Sequence, residues 1–326
     1  GGEAGLAPAG FSLGHSEIVL SSNIDDKFYG QFTFILAEHS GGERENKIEE
    51  AFIQTIGLTN GFTVTAGRFF SNIGYMNRRH KHAWNFFDAP LVYQGIWGNK
   101  YIDDGLSVSW IAPSDLFIEL GAEVLSGGTY PSGSEKSDGV GAQVTFINLG
   151  GDFSASSSWQ AGTSYYIADT NKRKYGAHDH GGTAETPQFT GDTNVVGLNF
   201  IYKWAPQGNY KDRHFKLQTE YFSRDEDGTV TILNSSPLES TDDYTGKQQG
   251  AYLQAIYQFM PQWRTGLRYE WLDSDNSGDA EVLEEAQLKS PSDNPNKYSI
   301  SLDYIPSEFS RVRLQYNKDK SYQQED

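Results

Sequence analysis

Apolar and polar residues alternate one for one in segment after segment. Val312, Leu314 and Tyr316 alternate with Arg311, Arg313 and Gln315, and Phe215, Leu217, Thr219 and Tyr221 with His214, Lys216, Gln218 and Glu220. Trp263, Thr265, Leu267, Tyr269 and Trp271 alternate in the same way with Arg264, Gly266, Arg268 and Glu270, and Leu116, Ile118, Leu120, Ala122 and Val124 with Glu119, Gly121 and Glu123. A period of two places one set on each face of a β-strand, so each segment predicts a strand with one apolar and one wet face. Fourteen such segments begin near residues 15, 27, 47, 61, 104, 115, 138, 153, 193, 212, 248, 262, 297 and 309.

The connections fall into two alternating kinds. Short turns are predicted at Asp25–Asp26, Leu58–Asn60, Pro113–Ser114, Leu149–Gly151, Pro206–Asn209, Met260–Pro261 and Pro306–Ser307, with long polar connections at residues 70–102, 168–191, 225–246 and 273–296. Short periplasmic turns alternating with longer external loops are the sidedness of an outer-membrane barrel. Trp204, Trp263, Tyr269 and Trp271 lie near segment ends, where interfacial aromatic girdles sit, whereas the competing soluble sandwich or propeller would bury them centrally. The expected fold is all-β: a transmembrane antiparallel up-and-down β-barrel, porin-like, occupying residues 1–326 as one domain. Both outermost segments point away from the periplasm, so about 16 strands are expected in the intact protein, 14 of them complete here.

Composition narrows this further. The chain has 326 residues with no cysteine, which removes disulfides and thiolate sites. A formal net charge of -17 argues against a nucleic-acid partner. No apolar run approaches the roughly 20 residues of a spanning helix, and the longest helix-like stretch, Ala280 to Leu288, is short and acidic. Residues Gly1 to Gly14 show no basic start or apolar core, so any signal peptide is expected to have been removed.

Sixteen strands enclose an aqueous channel unless loops fold inward. The connection 71–100 carries Arg78, Arg79, His80, Lys81 and His82, then Trp84, Phe86, Phe87 and Asp88. Its aromatics need a place to bury, so it is predicted to fold into the lumen as the constriction, an external cap being the alternative. Alternation directs Lys203, Lys216, Arg264, Arg268, Arg311 and Arg313 to a basic lumen wall and Glu17, Glu119 and Glu123 to an acidic one. Facing ladders of opposite charge orient polar solutes and set ion preference. Strand parity puts six of the seven histidines at the external end, leaving His214 near the periplasm. The pairs His80/His82 and His178/His180 have a spacing that could chelate a divalent cation, transient zinc for instance, if Asp179 or Asp88 supplied a third ligand. No cofactor is otherwise implied. No Gly-x-Ser-x-Gly motif or Ser/His grouping accompanies His214, so no enzyme is expected.

Several strings are more specific: Ala66-Gly67-Arg68-Phe69-Phe70-Ser71-Asn72-Ile73-Gly74-Tyr75-Met76-Asn77, Lys203-Trp204-Ala205-Pro206-Gln207-Gly208-Asn209 and Tyr257-Gln258-Phe259-Met260-Pro261-Gln262-Trp263-Arg264. With them the chain resembles a group of proteobacterial outer-membrane proteins often labelled zinc-regulated TonB-dependent receptors, and more distantly the phosphate-selective porins. TonB-dependent receptors have 22 strands around a plug, whereas the second resemblance implies a sixteen-stranded homotrimer with loops folded into the lumen. Pattern and resemblance together imply a porin-like channel for small polar solutes or ions, with zinc uptake as one specific form, in contact with outer-membrane lipid and lipopolysaccharide. The alternative is a structural sheath or docking barrel that holds a protein partner.

Overall fold

The computed structural model describes residues 15–38, 44–133, 139–174, 178–179, 184–233, 240–285, 288 and 294–320. One sheet contains every strand: β1 (His15–Asn23), β2 (Phe28–Glu38), β3 (Arg44–Thr55), β4 (Phe62–Phe70), β5 (Ile102–Ile111), β6 (Phe117–Leu125), β7 (Ala142–Ser154), β8 (Ser157–Lys174), the two-residue β9 (His178–Asp179), β10 (Ala184–Trp204), β11 (His214–Leu233), β12 (Ser240–Met260), β13 (Trp263–Gly278), β14 (Asn296–Ser307) and β15 (Ser310–Asp319). Fourteen of them follow one another in chain order, each antiparallel to the next, and β9 prolongs the hairpin onto β10. This is an up-and-down barrel sheet of the porin kind, and all fourteen alternating segments of the sequence become strands. β1 and β15 each pair with a single neighbour among the described residues, and His15 and Asp319 both lie at the end of the sheet that carries the long connections.

The outer face is apolar because lipid is its solvent. Leu198, Leu253, Leu267 and Ile300 are 50%, 48%, 57% and 49% exposed, while Gln218, Glu220, Arg268 and Asp303, on the opposite face, are buried. Ring pairs Phe62–Trp110, Phe153–Trp159, Tyr202–Phe215 and Trp263–Tyr304 line the short-turn end, and Tyr221–Trp271 and Tyr269–Tyr298 form a second belt. From Trp263 to Trp271 the strand covers about 27 Å at about 3.4 Å per residue, a length that fits the apolar band of a tilted barrel strand.

Two expectations need correction. The turn anticipated at Leu149–Gly151 lies instead at Ala155–Ser156, because Gly150 and Gly151 stay in the ladder opposite Gln160 and Trp159. The stretches 168–191, 225–246 and 273–296 were expected as loops, but much of each is strand. β10, β11 and β12 contain 21, 20 and 21 residues, about twice what crosses a bilayer. These hairpins project beyond the membrane, where a polar strand needs no lipid-facing alternation. On that projection helix α2 (Ala280–Glu285) packs Val282 and Leu283 against Phe189, Val230, Ile232 and Tyr244.

Candidate functional site

Residues 71–101, between β4 and β5, are the longest connection free of strand among the described residues. Both ends of this segment rest on the same ladder: Phe70 is opposite Ile102, and the Ser71 amide donates to the Tyr101 carbonyl at 3.3 Å. Asn77 joins the ends, since its Nδ2 donates to the carbonyls of Ser71 (2.9 Å) and Tyr101 (2.8 Å) and its Oδ1 accepts from the Tyr101 amide (2.7 Å). Within the segment, helix α1 (Leu91–Trp97) buries Leu91, Val92, Tyr93, Ile96 and Trp97. A helix apolar nearly all round needs walls on several sides. It stops at Gly98, whose φ of 58° is the left-handed conformation that closes helix C-termini.

Those walls are strands far apart in the sheet. Val92, Tyr93, Ile96, Trp97 and Tyr101 share one apolar cluster with Leu125 of β6, Val144 of β7, Tyr166 of β8, Val195 of β10, Phe222 of β11 and Tyr252 of β12. A single short segment can touch all of these only because the sheet curves around it.

Buried carboxylates fix it in place. Glu123 of β6 accepts hydrogen bonds from the Asn72 amide and Nδ2, both at 3.0 Å, and from Ser71 Oγ at 2.5 Å. Glu220 of β11 accepts from the amides of Tyr75 (2.8 Å) and Met76 (2.9 Å), from Tyr93 Oη (2.9 Å) and from Tyr252 Oη. Glu270 of β13 accepts from the Leu91 amide at 2.6 Å, at the start of α1. Glycine is required at position 74, where a Cβ would come within 2.4 Å of Glu220 Oε2.

On the opposite flank Asp88 accepts from Arg268 (2.8 Å), Lys297 (2.7 Å) and Gln315 (2.7 Å). Burial alone would raise its pKa, but Arg268 and Lys297 more than offset that and hold it at about 2. A carboxyl depressed in the folded state stabilises it fully above the ordinary carboxylate range and loses that contribution as pH falls. The Asp88 anchor is therefore expected to weaken between about pH 4 and pH 2. Near-UV circular dichroism during acid titration reads this, and Asp88→Asn is expected to remove that phase.

The segment also gathers charge along its first half. His80 Nδ1 is 3.2 Å from Glu17 and 3.3 Å from Glu49, and its Nε2 is 3.1 Å from Glu50. Contacts with Glu17, Glu49 and Glu50 raise its pKa to about 11 against the opposing effect of burial. His82 stacks on His80 at 5.7 Å and reaches Glu17 at 3.1 Å. Lys100 lies 3.9 Å above the Phe70 ring and 3.8 Å from Glu49, and burial lowers its pKa to about 8. Arg79 and Lys216 stand over the Tyr75 ring at 4.7 and 4.8 Å, beside a cavity of about 40 Å³.

Among the residues singled out from sequence, Arg78 lies 3.7 Å from Glu119, which also accepts from Asn148 Nδ2. Lys81 lies 5.3 Å from the Phe87 ring. Arg264 and Arg313 both pair with Asp303, each at 2.7 Å, and Arg268 pairs with Asp88 and Glu270. Arg311 donates to the carbonyls of His82 (2.8 Å) and Trp84 (3.2 Å). The expected basic wall is thus largely neutralised at these positions, because Asp303 and Glu270 share its face. Lys203 remains directly opposite Lys216 in register.

The histidines require two corrections. His80 does not sit at the outer mouth: it meets Glu50, which is opposite Thr33, midway along β2. Its carboxylate neighbours are Glu17, Glu49 and Glu50, whereas Asp88 is bound to Arg268, Lys297 and Gln315. The side chains of His178 and Asp179, and all of His180, lie outside the described residues.

Residues 21–326 match a family described as "Putative beta-barrel porin-2, OmpL-like". An Aquifex aeolicus (strain VF5) protein described as "Uncharacterized protein" is 31% identical over 330 residues, covering 97% of this chain and 65% of that one, so the chain spans about two thirds of the relative's length. Among solved structures, Vibrio cholerae OmpT lacking loop L8 gives a TM-score of 0.56 at 11% identity, covering 94% of this chain and 84% of that one. The anion-selective porin of Comamonas acidovorans gives 0.51 at 12%, covering 94% and 79%. At these identities the likeness concerns the fold.

Proposed function

This chain belongs to the OmpL-like family of β-barrel porins of the bacterial outer membrane, and on that premise we propose that it is a channel for small polar solutes or ions whose bore is set by residues 71–101. The observation that carries this reading is the attachment of the segment to the wall through Glu123, Glu220 and Glu270, on strands β6, β11 and β13. A segment held this way narrows the path and stays in place while solutes pass. Arg79 of the segment and Lys216 of the wall border a small cavity between them, and Lys203 is opposite Lys216 in the ladder. The cavity beside Tyr75, Arg79, Trp84, Phe86, Lys216 and Arg268 measures about 40 Å³, room for roughly two or three waters. A barrel narrowed by such a segment is expected to pass ions and small hydrophilic molecules and to exclude larger ones. Divalent cations belong to the proposed solutes because Glu17, Glu49 and Glu50 line the same inner face.

Single-channel recording of the purified protein in planar bilayers tests the proposal. Discrete, small ionic steps are expected. Absence of conductance rejects it, and a stoichiometric co-purifying protein would then favour the docking barrel.

A further inference from the structure

We propose that Glu17, Glu49 and His80, with His82 beside Glu17 as a further ligand within reach, form a binding site for a borderline divalent cation of the zinc class on the inner wall. One carboxylate oxygen each from Glu17 and Glu49 and one ring nitrogen of His80 lie within 4.8 Å of one another. Nδ1 of His80 is 3.2 Å from Glu17 Oε2 and 3.3 Å from Glu49 Oε2, and Nδ1 of His82 is 3.1 Å from the same Glu17 oxygen. A tetrahedral ion with bonds of roughly 2.0–2.1 Å sets its ligand atoms about 3.3 Å apart. Ion pairs have similar lengths, so spacing by itself does not separate the two.

Three further features do. Glu49 is 5% exposed, and its Oε2 and His80 Nδ1 are buried and stand 3.3 Å apart without the geometry of a hydrogen bond. A buried carboxylate oxygen and ring nitrogen that face each other at this distance, with poor hydrogen-bond geometry, can both turn a lone pair on a cation placed between them.

The second feature is local backbone geometry. Thr33 is opposite Glu50 and Phe34 opposite Ile48, so Glu49 is the extra residue of a β-bulge. Consecutive strand residues normally face opposite ways, and a bulge re-aims one of them. Both Glu49 and Glu50 are 5% exposed and both reach His80.

The third is support from a surrounding shell. His80 Nε2 lies 3.1 Å from Glu50 Oε2, and that oxygen is held by Gln31 Nε2 at 2.8 Å and Thr33 Oγ1 at 3.3 Å. A carboxylate that binds the far nitrogen of an imidazole orients the near one toward a metal. Charge agrees: Glu17, Glu49 and Glu50 contribute three negative charges, Lys100 one positive, and the remaining two match a dication. Without the ion, a proton on His80 occupies the same position.

The inference rests on the channel reading only for placing this ion in a solute path. Its test uses the full chain, purified, stripped with EDTA and titrated with Co²⁺ as a spectroscopic probe for Zn²⁺. One Co²⁺ per chain is expected, with the intense visible bands of a four-coordinate nitrogen and oxygen site, displaced by Zn²⁺. Glu49→Gln and His80→Asn are expected to abolish those bands, Glu50→Gln to weaken binding by about 10–100-fold, and His214→Asn to change nothing. Heat-modifiable electrophoretic mobility verifies that each variant is folded. Absence of the bands, or their persistence in both Glu49→Gln and His80→Asn, overturns the site. Bilayer recording of the same preparation separates the two proposals: conductance without Co²⁺ binding sinks the metal site alone, and Co²⁺ binding without conductance sinks the channel alone.

Discussion

Glu220→Gln is expected to loosen residues 71–101 while leaving the barrel intact. The two oxygens of Glu220 each serve two segment or wall donors: Tyr75 N and Tyr93 Oη on Oε2, Met76 N and Tyr252 Oη on Oε1. An amide turns one of those oxygens into a donor, so one backbone N–H, that of Tyr75 or of Met76, loses its acceptor whichever way the amide is rotated, while the tyrosine hydroxyl on that side can turn to accept. At roughly 1–3 kcal/mol for an unsatisfied group, local opening becomes easier by about that much, on the order of tenfold or more. Hydrogen exchange measured by mass spectrometry should show this acceleration in peptides spanning 72–80, with the ladder between β11 and β12 unchanged. Unaltered exchange would mean that Glu220 does not hold the segment.

Trp97→Ala should have a comparable effect from the apolar side. Trp97 is 1% exposed, stands edge-on to Tyr166 at 5.4 Å and Phe222 at 5.6 Å, and lies 5.5 Å from Tyr101. Removing a buried indole from such a cluster costs about 3–5 kcal/mol. The near-UV dichroism of the coupled rings should collapse and exchange across 91–101 should rise. Trp97→Phe is expected to be mild, because the indole Nε1 is buried without a hydrogen-bond partner and its loss removes an unmet donor. If alanine and phenylalanine behave alike, the cluster is not what packs α1.

The barrel was legible because strand alternation is a local property: each apolar face in a segment such as Phe215 to Tyr221 reports lipid directly. Turn positions were less so, since Gly150 and Gly151 read as a turn but fit equally well in a ladder. Strand ends beyond the membrane were hidden because the apolar phase reverses there: Val230 and Ile232 are buried on the face that carries Gln218 and Glu220, whereas Leu217 and Tyr221 belong to the other face. The segment 71–101 announced itself through aromatics and basic residues, and Trp84 and Phe86 are indeed buried, whereas Phe87 is 55% exposed. Helix α1 gave no amphipathic signal because nearly all its faces are covered. The carboxylates that grip the segment were readable only as wet-face positions. Glu220 and Glu270 alternate correctly, but nothing in the sequence tells which of many inward polar residues will meet a backbone amide from 130 residues or more away. Glu49 was hardest to find, because the bulge that turns it inward breaks the very period from which facing is read.

The central claim is that residues 71–101 set the bore. Phe70 and Ile102 are already paired in the β4–β5 ladder, so replacing residues 71–101 with a two-residue Asn-Gly turn leaves a hairpin that can close. Single-channel conductance of this chain and of the unaltered one, recorded in the same bilayers, is the most direct test. Small steps from the unaltered protein and steps several-fold larger from the shortened one are expected, whereas equal conductance in two folded barrels would contradict the account.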